Sequence, residues 1–175
     1  QTIPWPGMLF SEGGAAAARA EMRKYAYHAK EIEIVRKVKA AYLELSKTDA
    51  LIEVLAANVG VLKQAYRVAQ ANYSAGTSSQ VELLKMQIEL NRTLNELENM
   101  REERAVKSVE LGLLLNSPAE NSTAVDPLPK DYSQNLDYEK VVSAALKNSP
   151  VLKMEEKALE ESRAMVGAAW SNYLP

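Results

Sequence analysis

The 175-residue sequence has no cysteine, one histidine and one phenylalanine. Without cysteine there is neither a disulfide framework nor a thiolate metal site, and the compartment is left open between the cytosol and a cell envelope. The lone His28 has no ordered acidic cluster near it. It therefore completes no Ser/His/Asp set and reads as a surface or packed side chain. No run of 18 apolar residues is present, so no helix crosses a membrane, and no secretory signal is visible. The 21 basic and 23 acidic residues are interleaved along the chain. That pattern lacks the basic block a nucleic-acid surface needs, and no nucleic-acid partner is expected. Gly-Lys-Ser phosphate loops are absent as well. The neighbouring carboxylates Glu102 and Glu103, like Glu155 and Glu156, diverge on a helix and make poor acid/base couples. No catalytic residue, metal site or cofactor is expected, and the chain is not read as an enzyme.

Proline is missing too, from Pro6 to Pro118, and past Gly14 that span holds only Gly60, Gly76 and Gly112. Ala, Leu, Glu, Lys, Val and Ser dominate, and aromatics make up only 6%. Such a composition builds long helices rather than a thick globular core. The prolines and glycine of "QTIPWPGMLF" predict an extended lead-in over residues 1–14, with Ser11 able to cap a helix that continues from Ala15.

From Ile34 the apolar spacing becomes regular. Ile34, Val38, Ala41, Leu45, Thr48, Ile52, Leu55, Val59, Leu62, Tyr66, Ala69 and Tyr73 alternate four and three apart, which is a coiled-coil seam. Leu51, Val54, Val61, Ala65 and Val68 form a second, weaker stripe beside it. In the second arm Leu83, Met86, Leu90, Thr93, Leu97 and Met100 follow the same rule, with Val81, Leu84 and Ile88 alongside. A helix with two stripes wants two neighbours, whereas a simple dimeric coiled coil needs one. The methionines at helical spacing read as core filler, and "ENMREERAVKSVE" reads as a solvated charged face with i,i+4 pairs.

Between the arms lies "YSAGTSSQ". Gly76 is a natural left-handed helix stop. Thr77, Ser78 or Ser79 can cap the next helix, and Glu82 stands three residues after Ser79 as in a capping box. The expected fold is all-α: a long antiparallel hairpin over residues 15–116 with its turn at 74–78, an equatorial loop and short helix over 117–150, and a returning helix over 151–175. Asn116 and Pro118 should end the second arm. Counting 40 residues each way from Gly76 pairs Arg36 with Asn116 over roughly 60 Å. The last helix then fits the uncovered stretch back to Ala15, for a rod of about 90 Å. Both ends, at Gln1 and after "YLP", read as cut from something larger. Trp5 and Trp170 lie near them.

Four segments together resemble the TolC-like outer membrane efflux proteins: "QTIPWPGML", "ANYSAGTSSQVELLKMQIELNRTLNEL", "VELGLLLNSP" and "ALKNSPVLKMEEKALEESRAMVGAAWSNYLP". The order and spacing of the Tyr-x-x-Gly turn, the Leu-Leu arm end and the Asn-Ser-Pro before an Ala-rich helix carry the resemblance, which covers nearly the whole chain. The opening is most similar to the heavy-metal cation efflux branch. The resemblance implies one repeat's helical hairpin from a trimeric outer-membrane channel, located in the periplasm. The strands of the β-barrel, the second repeat and a lipid-anchor cysteine are absent from this sequence. It implies a periplasmic adaptor (membrane fusion) protein and an inner-membrane transporter as partners. It also implies that the adaptor docks at the turn: Tyr73, Ser74, Ala75, Gly76, Thr77 and Ser78. Two rival readings are a soluble coiled-coil scaffold and the hairpin of a periplasmic adaptor. The scaffold would need one seam per helix, and the adaptor would be flanked by lipoyl-like strands.

Overall fold

The computed structural model describes residues 6–117, 125–126 and 137–171. Four helices follow one another: α1 (Pro6–Ser74), α2 (Gln80–Leu114), α3 (Tyr138–Asn148) and α4 (Pro150–Ser171). No strand occurs among the described residues, and the fold is all-α. The chain divides into two compact units, residues 36–131 and residues 1–35 with 132–175.

The unit 36–131 is the helical hairpin. Its core is the seam foreseen from spacing. Leu45 and Leu111 are essentially inaccessible, and Val59, Thr48, Thr93 and Leu97 are buried with them. Val38, Ala41, Ile52, Leu55, Leu62, Tyr66 and Ala69 on α1 are half-buried, as are Leu83, Met86, Leu90 and Met100 on α2. The outermost seam positions, Ile34 and Tyr73, are exposed. α2 ends as the sequence suggests. Asn116 takes a left-handed φ of 51°, and Ser117 N–H and Asn116 N–H donate to the carbonyls of Gly112 and Leu113. This is a Schellman closure with asparagine in the usual glycine place.

In the other unit, α4 runs antiparallel to the first part of α1. A Cβ built on Gly14 would meet Ala164, and one on Gly167 would meet Ser11. Further along, Arg19 pairs with Glu161 at 2.6 Å and Lys153 lies over the Tyr25 ring. Small residues at the crossing let the two helices approach closely. α3 begins at Asp137, whose side chain accepts from Glu139 N–H at 3.1 Å.

The extended lead-in expected over residues 1–14 is corrected from Pro6 onward, because α1 already starts there. A proline at the first helical position lacks only an N–H that would be unsatisfied anyway, and its φ suits a helix. Gly13 and Gly14 each cost about 1 kcal/mol of helix propensity. Packing offsets that cost: Ala15 and Ala18 are buried and Gly14 faces Ala164. Residues 1–5, most of the equatorial loop and residues 172–175 lie outside the described residues.

Candidate functional site

The turn at the hairpin's closed end is built almost entirely by its own backbone. Thr77 N–H donates to Asn72 O at 2.9 Å, and Gly76 N–H donates to Tyr73 O at 3.0 Å. Gly76 between them has φ 74°. These are the two bonds of a Schellman motif, and only a residue tolerant of left-handed backbone closes it cheaply. Ser79, one of the three candidate caps, is the N-cap of α2: its hydroxyl oxygen accepts from Glu82 N–H at 3.3 Å. Glu82 in turn accepts from the Ser78 hydroxyl. That bond, followed by one from the Ser79 backbone, holds the Glu82 carboxyl below its ordinary range.

The six turn residues singled out from sequence are contiguous at this end. Tyr73, Ser74, Ala75, Gly76 and Thr77 are exposed and Ser78 is half-buried. The hydroxyl protons of Ser74, Thr77 and Ser78 are already used. Ser74 donates to Gln70 O at 2.9 Å, Thr77 to Asn72 O at 3.0 Å, and Ser78 to Glu82. At these three side chains the turn offers oxygen lone pairs rather than hydroxyl protons.

Away from the turn, the second apolar stripe of each arm stays in solvent. Leu51, Val54, Val61 and Val68 of α1 are exposed, as are Val81, Leu84 and Ile88 of α2. The two arms thus use one stripe each to form the hairpin and leave the other unpartnered.

Spacing alone did not reveal the polar cluster at the far end of the hairpin seam. The Arg104 guanidinium reaches Asp49 across the arms, Nε to Oδ1 at 2.5 Å and Nη2 to Oδ2 at 3.4 Å. Lys107 donates to the Thr48 hydroxyl at 3.1 Å while pairing with Glu103 at 2.7 Å and Glu44 at 3.6 Å. The bond to Glu103 raises the Lys107 pKa. The run "ENMREERAVKSVE" is therefore only partly a solvated face. Arg101 pairs with Glu98 along its own helix, whereas Arg104 and Lys107 occupy seam positions and reach the other arm. The signal was present in the register, since 104 and 107 continue the three-four spacing of 97 and 100. Beside this cluster α1 holds the loop at Asp126, whose N–H donates to Tyr42 Oη at 2.8 Å and whose carbonyl accepts from Ser46 at 2.9 Å.

His28 is exposed, lies 3.3 Å from Glu31 and meets the edge of the Tyr27 ring. Among the described residues, no group of three His, Cys, Asp or Glu side chains could hold a metal ion. No described helix is long and apolar enough to cross a membrane. Met86, Met100 and Met154 are half-buried and Met165 is exposed. Trp170 is exposed, and Trp5 lies outside the described residues.

A family model described as outer membrane efflux protein matches residues 3–117. No curated protein and no solved structure matches the chain.

Proposed function

The chain belongs to the outer membrane efflux protein family, and we propose that it forms a periplasmic helical wall segment of a trimeric exit duct. The duct is passive: it makes and breaks no bond, and no catalytic role falls to this chain. One observation carries the reading. Each arm buries one apolar stripe in the hairpin and exposes a second, Leu51, Val54, Val61 and Val68 on α1 and Val81, Leu84 and Ile88 on α2. Helices that must contact a neighbour on both sides are what a wall of side-by-side helices requires. A free-standing hairpin scaffold needs no second stripe.

In this reading the turn Tyr73–Ser78 is where a periplasmic adaptor docks, linking the duct to an inner-membrane transporter. Two properties of the turn support it: small exposed residues permit close approach, and Ser74, Thr77 and Ser78, whose hydroxyl protons are spent, keep acceptor oxygens for a partner's donors. Metal cations are the favoured cargo, on the resemblance of the opening "QTIPWPG" to the heavy-metal branch, with drugs as the alternative cargo.

The test is efflux in the native host by full-length protein carrying bulk at the turn, Ala75→Trp or Gly76→Asn. Loss of metal or drug resistance with the trimer intact is expected. Wild-type resistance from both variants would remove the docking assignment.

A further inference from the structure

The two arms of the hairpin meet through seams that repeat every seven residues: Leu45, Ile52 and Val59 on α1, Leu83, Leu90 and Leu97 on α2. Such a seam decides which faces meet but says little about which residue meets which. Sliding one arm past the other by a heptad, about 10.5 Å along the axis, exchanges apolar contacts for apolar contacts.

The charged cluster at the end away from the turn breaks that equivalence. Arg104 on α2 pairs with Asp49 on α1, and Lys107 reaches Thr48 and Glu44. The side chains of Asp49, Arg104 and Lys107 are each less than a third exposed. Displaced by a heptad in one direction, Arg104 would face Ala56 and Asp49 would face Leu111, while Lys107 would exchange Thr48 and Glu44 for Leu55 and Leu51. In the other direction Arg104 would face Tyr42, Asp49 would face Leu97, and Lys107 would meet Ala41 and the like charge of Lys37. Either slide strands three largely covered charges, and a covered charge without its partner costs more than the intact pair contributes.

We infer that Asp49, Arg104 and Lys107 are a register lock: they select one pairing of the arms from its heptad-shifted neighbours, and they hold it independently of the turn. Leucine at the three positions would pack at least as stably but would not tell the native pairing from a shifted one. A polar residue at a seam position fixes register in coiled coils by the same logic. The inference concerns the hairpin alone and does not rest on the duct reading.

The chain has no cysteine of its own, so spin labels can be placed on Arg67→Cys and Glu102→Cys, both exposed and well separated along the hairpin. Pulsed electron resonance on labelled chain diluted with unlabelled chain reads the distance between them. A heptad slide changes that distance by roughly 10 Å. The turn's own contribution is first weakened with Gly76→Ala/Ser79→Ala, and this background should keep the single wild-type distance. Adding Asp49→Leu/Arg104→Leu/Lys107→Leu should bring in a second, shifted distance holding roughly a tenth of the molecules or more, at unchanged helix content by circular dichroism. Adding instead the swap Asp49→Arg/Arg104→Asp should leave one distance, because the pair is kept with its signs exchanged. A single native distance in the leucine chain would show that the apolar seam suffices and would overturn the inference. A shifted distance in the background with the cluster intact, or in the swapped chain, would do the same. So would loss of helix content in the leucine chain, which would make the charges a requirement for folding rather than for register.

Discussion

Arg104 spans the hairpin to Asp49, both donors of its fork on the two carboxylate oxygens at 2.5 Å and 3.4 Å. The pair takes the place of an apolar knob at a seam position. Both side chains remain about a third exposed, which keeps the expected contribution small. Replacing either with alanine should destabilise the chain by about 1 kcal/mol or less, and the double-mutant cycle should give a coupling of ~0.2–1 kcal/mol that shrinks with salt. Urea unfolding at low and high ionic strength measures both. A coupling of zero at low salt would make the contact incidental.

The buried and exposed stripes should respond very differently to truncation. Leu45→Ala or Leu111→Ala removes a side chain with no measurable exposure and should cost about 2–5 kcal/mol. In the lone chain, Val61→Ala and Ile88→Ala should fall within about 0.5 kcal/mol of the wild type. Urea melts of the four variants decide. A large effect at Ile88 in a monomeric sample would contradict its exposed position.

At the turn, backbone strain can be separated from bulk. A Cβ added at Gly76 meets nothing within 4 Å, yet the residue sits at φ 74°. Gly76→Ala should therefore cost about 1–2 kcal/mol through conformation alone, while Gly76→Asn should cost less because asparagine tolerates that region. Thermal melts of the pair should rank them in that order. Under the proposed docking role the asparagine variant still loses efflux, which a purely conformational defect would not produce.

Glu82 makes the start of α2 sensitive to acid. Hydrogen bonds from Ser78 and the Ser79 backbone hold its folded pKa below the ordinary 4.5. A depressed folded pKa means the unfolded chain binds more protons within that window, so stability rises with pH across it. The contribution is complete above 4.5 and disappears as pH falls through the folded value. Wild type and Glu82→Gln should differ in melting temperature at neutral pH and converge in acid. For Lys107 the sign is opposite. Its folded pKa lies above 10.5, so its contribution holds at neutral pH and fades only as pH climbs past that value.

The seam was legible almost residue by residue, because a period of three and four has one physical solution over so many turns. Thr48 and Thr93 were placed correctly in it despite being polar, since their hydroxyls donate to the carbonyls of Glu44 and Glu89 one turn back. The left-handed stop at Gly76 was legible for the same kind of reason: few residues can do what that position requires. Two features were missed. The helical start at Pro6 was hidden because Gly13 and Gly14 speak for a break when read locally, and only contact with α4 outweighs them. The reach of Arg104 and Lys107 across the arms was hidden because charged residues were assigned to solvent by type. Continuing the seam register past Met100 would have placed both side chains between the arms.

The ties between the hairpin's arms are distributed unevenly. From Thr48, Asp49, Arg104 and Lys107 to the closed end, no further side-chain hydrogen bond or ion pair joins α1 to α2 among the described residues. Over that length only dispersion and burial hold the helices, and those forces set no fixed partner for any atom. Amide exchange should accordingly grade along the hairpin, slowest beside Leu45 and Leu111 and quickening toward Gly76. The stretch nearest the turn would then be the one free to adjust its side-by-side fit while the opposite end keeps its alignment.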